Sequence, residues 1–68
     1  MEKFIERLKE LRMEKELSQM ELAKLTGLSR SAIGFYESGQ REPGAKAIIT
    51  LARFFNVSTD YLLGVVDE

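Results

Sequence analysis

The segment "SQMELAKLTGLS", which begins at Ser18, constrains the fold more than any other part of the chain. Ser18 is a favourable helix N-cap, and Glu21 completes a capping box with it, which predicts a helix over residues 19–26. Gly27 can end this helix in a left-handed conformation, and Ser29 can cap another helix two residues later. Two short helices joined so closely must meet at a sharp angle, because the turn is too tight for a long antiparallel hairpin.

The remaining sequence is also helical in pattern, so an all-α fold is expected. Apolar residues at helical spacing predict a first, amphipathic helix between Lys3 and Lys15. A loop, "SGQREPG", precedes a fourth helix that Asn56 ends, and Ser58 caps a fifth, "TDYLL". We expect five helices in one compact domain over residues 1–68. Helices 2 and 3 form a unit over residues 18–38, and a short C-terminal tail covers residues 65–68. The expected inner face of helix 4 consists of Ala45, Ile48, Leu51, Ala52 and Phe55.

Composition narrows the function classes. The 68 residues contain no cysteine and no histidine, which argues against disulfides, the usual zinc sites and histidine- or cysteine-based catalysis. We therefore expect no enzyme activity, no cofactor and no metal. The amino terminus, "MEKFIERLKE", has neither a signal-peptide core nor a membrane span, so a cytoplasmic protein without a membrane partner is expected.

Charge is distributed unevenly along the chain, although the net formal charge is only -1. Residues 24–53 carry five basic and two acidic side chains, whereas residues 54–68 carry three acidic side chains and no basic one. The central segment could face an acidic partner such as DNA, which usually binds a basic surface. An ordinary solvated surface would show the same pattern.

Nearly the whole chain resembles the lambda-repressor-like, Cro/XRE-type helix-turn-helix domain. The resemblance rests on "LRMEKELSQMELAKLTGLSRSAIGFYESGQREPG" and on the ending "FFNVSTDYLLG". The resemblance implies a transcriptional regulator that binds double-stranded DNA and places helix 3 in the major groove. When the protein is bound to DNA, it would be associated with the nucleoid. The family's characteristic positions are occupied by Gln19, Ala23, Gly27, Ser29, Ile33, Glu37, Gly39 and Pro43.

An ion pair between Arg12 and Glu37 is the first expectation about the site. Arg12 falls within the apolar stripe of helix 1, where an arginine needs a partner, and the family pairs an arginine and a glutamate at these two positions. We therefore expect a structural, at least partly buried, ion pair.

The outward face of helix 3 is the expected base-reading surface. On a helical wheel Arg30, Ser31, Gly34 and Phe35 point away from the domain, and the resemblance implies that they meet DNA bases. Arg30 can bond guanine in a bidentate manner or can instead reach a phosphate, and Phe35 can pack on a thymine methyl group. Phe35 could instead pack at the domain edge or on a protein partner. Gly34 could allow close approach to DNA or could be an unselected surface residue.

The resemblance also implies phosphate contacts and a homodimer on a palindromic operator. The expected phosphate-contact residues are Gln19, Ser29, Arg41 and Lys46. Glu42 and Gly44 stand where family members often carry basic residues, which indicates weak binding by a monomer and favours a dimer. The expected dimer interface consists of Leu62, Val65 and Val66, with Phe54 as a rival.

Two functions from different classes are consistent with the sequence. One is a repressor that binds DNA as a homodimer. The other is an antitoxin or adaptor that uses the same fold to bind a protein, such as a toxin or an anti-repressor. The net acidic charge and an exposed Phe35 are compatible with the second.

Overall fold

The computed structural model describes residues 1–67, so Glu68 of the predicted tail lies outside the described residues. Within this range the chain forms five α-helices and no strand, as the sequence predicts. Their bounds are α1 Glu2–Glu14, α2 Gln19–Thr26, α3 Arg30–Ser38, α4 Ala45–Phe55 and α5 Thr59–Leu63. None of the helices in residues 1–67 has the length and apolar character that crossing a bilayer requires.

Serine caps set where the short helices begin. The Ser18 hydroxyl accepts a hydrogen bond from the Glu21 backbone N–H at 3.0 Å, and the Glu21 carboxylate accepts one from the Ser18 N–H at 2.8 Å. The hydrogen bond from the Ser18 backbone N–H to the carboxylate lowers the pKa of Glu21 from its ordinary value, because it stabilises the ionised form. Ser29 and Ser58 cap α3 and α5 in the same way, except that no reciprocal side-chain bond is present. Gly27 ends α2 at a φ of 80°, as predicted, so α3 starts at once in a new direction.

All five helices contribute to one core. Six large side chains, at least one from each helix, are less than 2% exposed: Phe4, Leu8, Leu22, Ile33, Leu51 and Leu62. The rings of Phe4 and Tyr36 meet edge to face, with centroids 6.2 Å apart, and join α1 to α3. Helix α1 packs against α3 and α5, while α4 packs against α2 and α5. The outer surface of α3 is left uncovered.

The inner face of α4 differs from the prediction at its first residue. Ala45 is exposed and Ile48 is only half-buried, whereas Ala47 is buried with Leu51, Ala52 and Phe55. Ala45 begins the helix directly after the Gly44 cap, at the end of the element and at the edge of the apolar stripe. The buried stripe instead runs along Ala47, Leu51 and Phe55, which are spaced by four residues.

Arg7 is a buried residue that the apolar pattern of α1 does not predict. Its guanidinium donates hydrogen bonds to the backbone carbonyl oxygens of Tyr61 and Val66, the latter at 2.7 Å. It also stacks 4.2 Å from the centre of the Tyr61 ring and lies 3.5 Å from a carboxylate oxygen of the exposed Asp67. One arginine on α1 therefore holds the C-terminal tail against the domain.

The predicted dimer interface needs one correction. Leu62 has no exposed surface because it fills the core beneath α5, so it is not available to a partner and the prediction for this residue is wrong. Val65 is 68% exposed and Val66 is 38% exposed. Phe54 is half-buried, and its ring packs edge to face on Phe55 with centroids 5.0 Å apart.

Candidate nucleic-acid interface

Helix α3 has an anchored side and a free side. Ile33, Tyr36 and Glu37 are buried against the domain. On the other side Arg30 and Ser31 are exposed, while Gly34 and Phe35 are half-buried. The four predicted base-contact residues therefore lie on the side of the helix that the rest of the domain does not cover.

These residues form a shallow, open depression with neighbours from α2 and from the loop after α3. Two of the neighbours, Ser38 and Gln40, were not predicted. Ser38 lies four residues after Gly34, so helical spacing alone could have placed it on the same face. Its hydroxyl donates to the Phe35 carbonyl at 3.2 Å. The lining residues are Gln19, Arg30, Ser31, Gly34, Phe35, Ser38 and Gln40.

The ion pair predicted beneath α3 is present. Arg12 Nε and Nη2 donate to the two carboxylate oxygens of Glu37 at 2.7 and 2.9 Å, a bidentate geometry. Arg12 Nη1 also donates to the Leu17 carbonyl at 2.7 Å. The hydrogen bond to Glu37 raises the pKa of Arg12, and both side chains are mostly buried, with exposures of 16% and 5%. The pair joins α1 to α3 and to the residues before α2.

Glu37 also orients Gln19, the residue predicted to contact a phosphate from the start of α2. Gln19 Nε2 donates to Glu37 Oε1 at 3.2 Å. Because an ionised carboxylate only accepts hydrogen bonds, the amide nitrogen must face Glu37. The amide oxygen then lies against α3, 3.5 Å from the position that a Cβ on Gly34 would occupy. One N–H of the Gln19 amide is left for an acceptor outside the domain.

The Arg41 side chain lies beside the depression, next to Phe35. Its Cζ is 4.9 Å from the centre of the Phe35 ring. The Phe35 carbonyl accepts hydrogen bonds from the backbone N–H groups of Gln40 and Arg41, at 3.0 and 3.3 Å. The loop after α3 therefore folds back onto Phe35 and places the Arg41 side chain against one of the residues that line the depression.

Three of the four predicted phosphate contacts, Ser29, Arg41 and Lys46, do not line the depression. Ser29 is exposed, and its oxygen accepts the capping bond from the Ala32 N–H at 3.0 Å, which leaves the hydroxyl proton for an outside acceptor. Lys46 is exposed in the first turn of α4.

The fold and the site together define the class of protein. A short capped helix, a glycine turn and a second helix with a buried inner side and an open outer side form a helix-turn-helix unit. The chain belongs to the Cro/XRE-type helix-turn-helix family: the helix-turn-helix family model matches residues 8–62.

Relatives and a solved structure agree with this assignment. The chain is 35% identical to the uncharacterized HTH-type transcriptional regulator YobD of Bacillus subtilis, over 96% of this chain and 58% of the relative. It is 43% identical to the regulator YqaE of the same organism, over 88% of this chain and 52% of the relative. The chain thus spans little more than half the length of these two curated relatives.

The structure is similar to that of the restriction-modification controller protein C.AhdI from Aeromonas hydrophila. The TM-score is 0.80, with 45% sequence identity, and the match covers 88% of this chain and 91% of that chain.

Proposed function

We propose that this protein binds a specific sequence of double-stranded DNA through the outer side of α3 and thereby regulates transcription. The observation that carries the proposal is the open depression in which Arg30, Ser31 and Phe35 lie beside Gln19. An arginine and a hydroxyl can each form hydrogen bonds with base edges in the major groove, and a bidentate arginine contact distinguishes guanine from other bases. The buried Glu37 and Ile33 hold this surface in place.

Charge supports the same assignment. Residues 24–53, which contain α3 and the loop after it, carry a net charge of +3, although the whole chain carries -1. Lys/Arg side chains that neutralise phosphates release counterions, so binding should weaken steeply as salt rises. The relatives are named transcriptional regulators, which supports regulation as the outcome of binding.

A homodimer on a palindromic operator is the assembly we propose, and repression is its outcome. Glu42 is acidic at a loop position where family members often carry a basic residue, so one copy makes few phosphate contacts. Two copies together would bind more strongly. Two-fold dimers of this class place their recognition helices about 34 Å apart. A dimer seated on such a site excludes other proteins from the same DNA.

Selection of bound sequences from a random pool of duplexes tests the proposal. We expect enrichment of a palindrome, two copies of the protein bound to each duplex, and an affinity that falls steeply with salt. Arg30→Ala should lower affinity for the selected duplex by about tenfold or more, since one bidentate base contact contributes about 1–3 kcal/mol. Lys9→Ala removes the same charge from the exposed side of α1 and should leave binding nearly unchanged.

Two results would contradict the proposal. One is failure to enrich any sequence from the pool. The other is binding to a protein partner that is insensitive to salt and to Arg30→Ala, which would favour an adaptor or antitoxin that contacts a toxin or an anti-repressor.

A further inference from the structure

We propose that Phe35 acts on DNA through Arg41: the ring is a positioning platform that holds the Arg41 guanidinium ready for a phosphate at the rim of the depression. The inference rests on the proposed function. It replaces the expectation that Phe35 reads a thymine methyl group. In this view Phe35 contributes to affinity at every sequence, and Arg41 makes the contact.

The first observation is the stacking geometry. The Arg41 Cζ lies over the Phe35 ring at 4.9 Å from its centre, within the range in which a cation is attracted to an aromatic face. Phe35 is half-buried in the folded chain, and the Arg41 guanidinium lies over one face of its ring. Less of the ring remains for a base.

The second observation is that the backbone ties the two residues together. The Phe35 carbonyl accepts hydrogen bonds from the N–H groups of Gln40 and Arg41. Gly39 makes the reversal possible with a φ of 78°. The turn that these hydrogen bonds close therefore positions the Arg41 backbone near Phe35, so that the arginine side chain can reach the ring.

The third observation concerns what the stacked guanidinium can still bind. None of the ion pairs within residues 1–67 involves Arg41. A guanidinium stacked on a ring keeps its N–H donors at its edge, where they match a phosphate in a bidentate manner. Ordering such a flexible side chain before DNA arrives lowers the entropic cost of binding.

A double-mutant cycle on the selected duplex tests the proposal. Arg41→Met removes the charge, so affinity should fall and the slope of log K against log salt should decrease by about 1. Phe35→Leu keeps an apolar side chain but no aromatic face. It should weaken binding by about three- to tenfold without changing that slope, because the phosphate contact remains but is no longer preordered.

The double variant Phe35→Leu with Arg41→Met decides whether Phe35 acts through Arg41. We expect Phe35→Leu to have little effect when Arg41→Met is already present, and Phe35→Tyr, which keeps the aromatic face, to bind as the unmodified protein does. In the free protein, the side-chain protons of Arg41 should show an upfield ring-current shift that Phe35→Leu removes. Thermal unfolding of each variant identifies any loss that comes from folding.

Three results would overturn the inference while leaving the proposed function intact. One is an equal loss from Phe35→Leu with and without Arg41. Another is a loss that disappears on a duplex in which uracil replaces thymine, because that result would show contact with the thymine methyl group. The third is the absence of a ring-current shift at Arg41. Failure of the unmodified protein to bind any duplex would instead overturn the proposed function and, with it, this inference.

Discussion

Arg12 supports α3 from beneath, so its loss should appear as a folding defect. Arg12→Met leaves the Glu37 carboxylate, 5% exposed, without its charged partner. Breaking a buried pair in this way costs about 3–5 kcal/mol. A domain of this size has a total stability of about 3–10 kcal/mol, so we expect a variant that is largely unfolded at moderate urea concentrations.

The control for this prediction is the double variant Arg12→Met with Glu37→Leu. Replacing both charges by apolar side chains should restore most of the free energy of unfolding in urea, because no unpaired buried charge remains. A single variant as stable as the unmodified protein would show that the pair contributes nothing.

Substitution of Gly34 is expected to affect the stability of the fold and the binding of DNA in different ways. A Cβ there would meet only the Gln19 amide oxygen, at an ordinary 3.5 Å. Because glycine costs about 1 kcal/mol relative to alanine inside a helix, Gly34→Ala should raise the free energy of unfolding by about that amount. An unchanged or lower stability would contradict the prediction. The affinity of the same variant for the selected duplex then separates close approach of DNA, which predicts weaker binding, from an unselected surface glycine.

At the scale of the elements, the passage from α5 into the tail depends on Gly64. Its φ is 83°, and a Cβ would lie 2.2 Å from the Cβ of Lys3 on α1. Gly64→Ala should therefore destabilise the fold by more than the backbone cost alone, which is about 1–2 kcal/mol for a left-handed residue. Gly27→Ala is the matched control, since Gly27 has a φ of 80° and nothing within 4 Å of its Cβ position. Equal losses in urea unfolding for the two variants would show that α1 and the tail do not pack closely.

Whether a feature could be predicted from sequence depends on how far apart in the chain its interacting residues lie. Caps such as Ser18 and Ser29 act on backbone three residues away, so the bounds of α2 and α3 follow from local chemistry. The resemblance to a family supplied the Arg12–Glu37 pair, which local chemistry alone could not. Arg7 had no such signal, because the carbonyls that it binds lie 54 and 59 residues away. The contact of Arg41 with Phe35 depends on a loop reversal that spacing does not specify.

At the scale of the whole molecule, Arg7 couples the amino and carboxyl ends of the chain. It holds the Tyr61 and Val66 carbonyls against α1, so the tail leaves the domain in a defined direction. This geometry presents Val65 to solvent with 68% of its surface exposed. A two-fold dimer buries each interface residue twice, once on each copy. A small apolar tail can therefore contribute substantially to the proposed assembly.

Val65→Ser tests whether the tail is the dimer interface. Burying a valine side chain contributes about 1.5–3 kcal/mol, and two copies are lost at once. We therefore expect the dimer dissociation constant to rise by about a hundredfold or more, measured by sedimentation equilibrium. The free energy of unfolding at low protein concentration should stay the same, because Val65 is exposed in the single chain.

Met13→Ser, at a residue of α1 that is 65% exposed, removes comparable apolar surface elsewhere and should leave dimerisation unchanged. If Val65→Ser dimerises normally, the interface lies elsewhere, and Phe54 beside Lys15 becomes the surface to mutate, since the Lys15 Nζ lies 5.9 Å from the Phe54 ring centre.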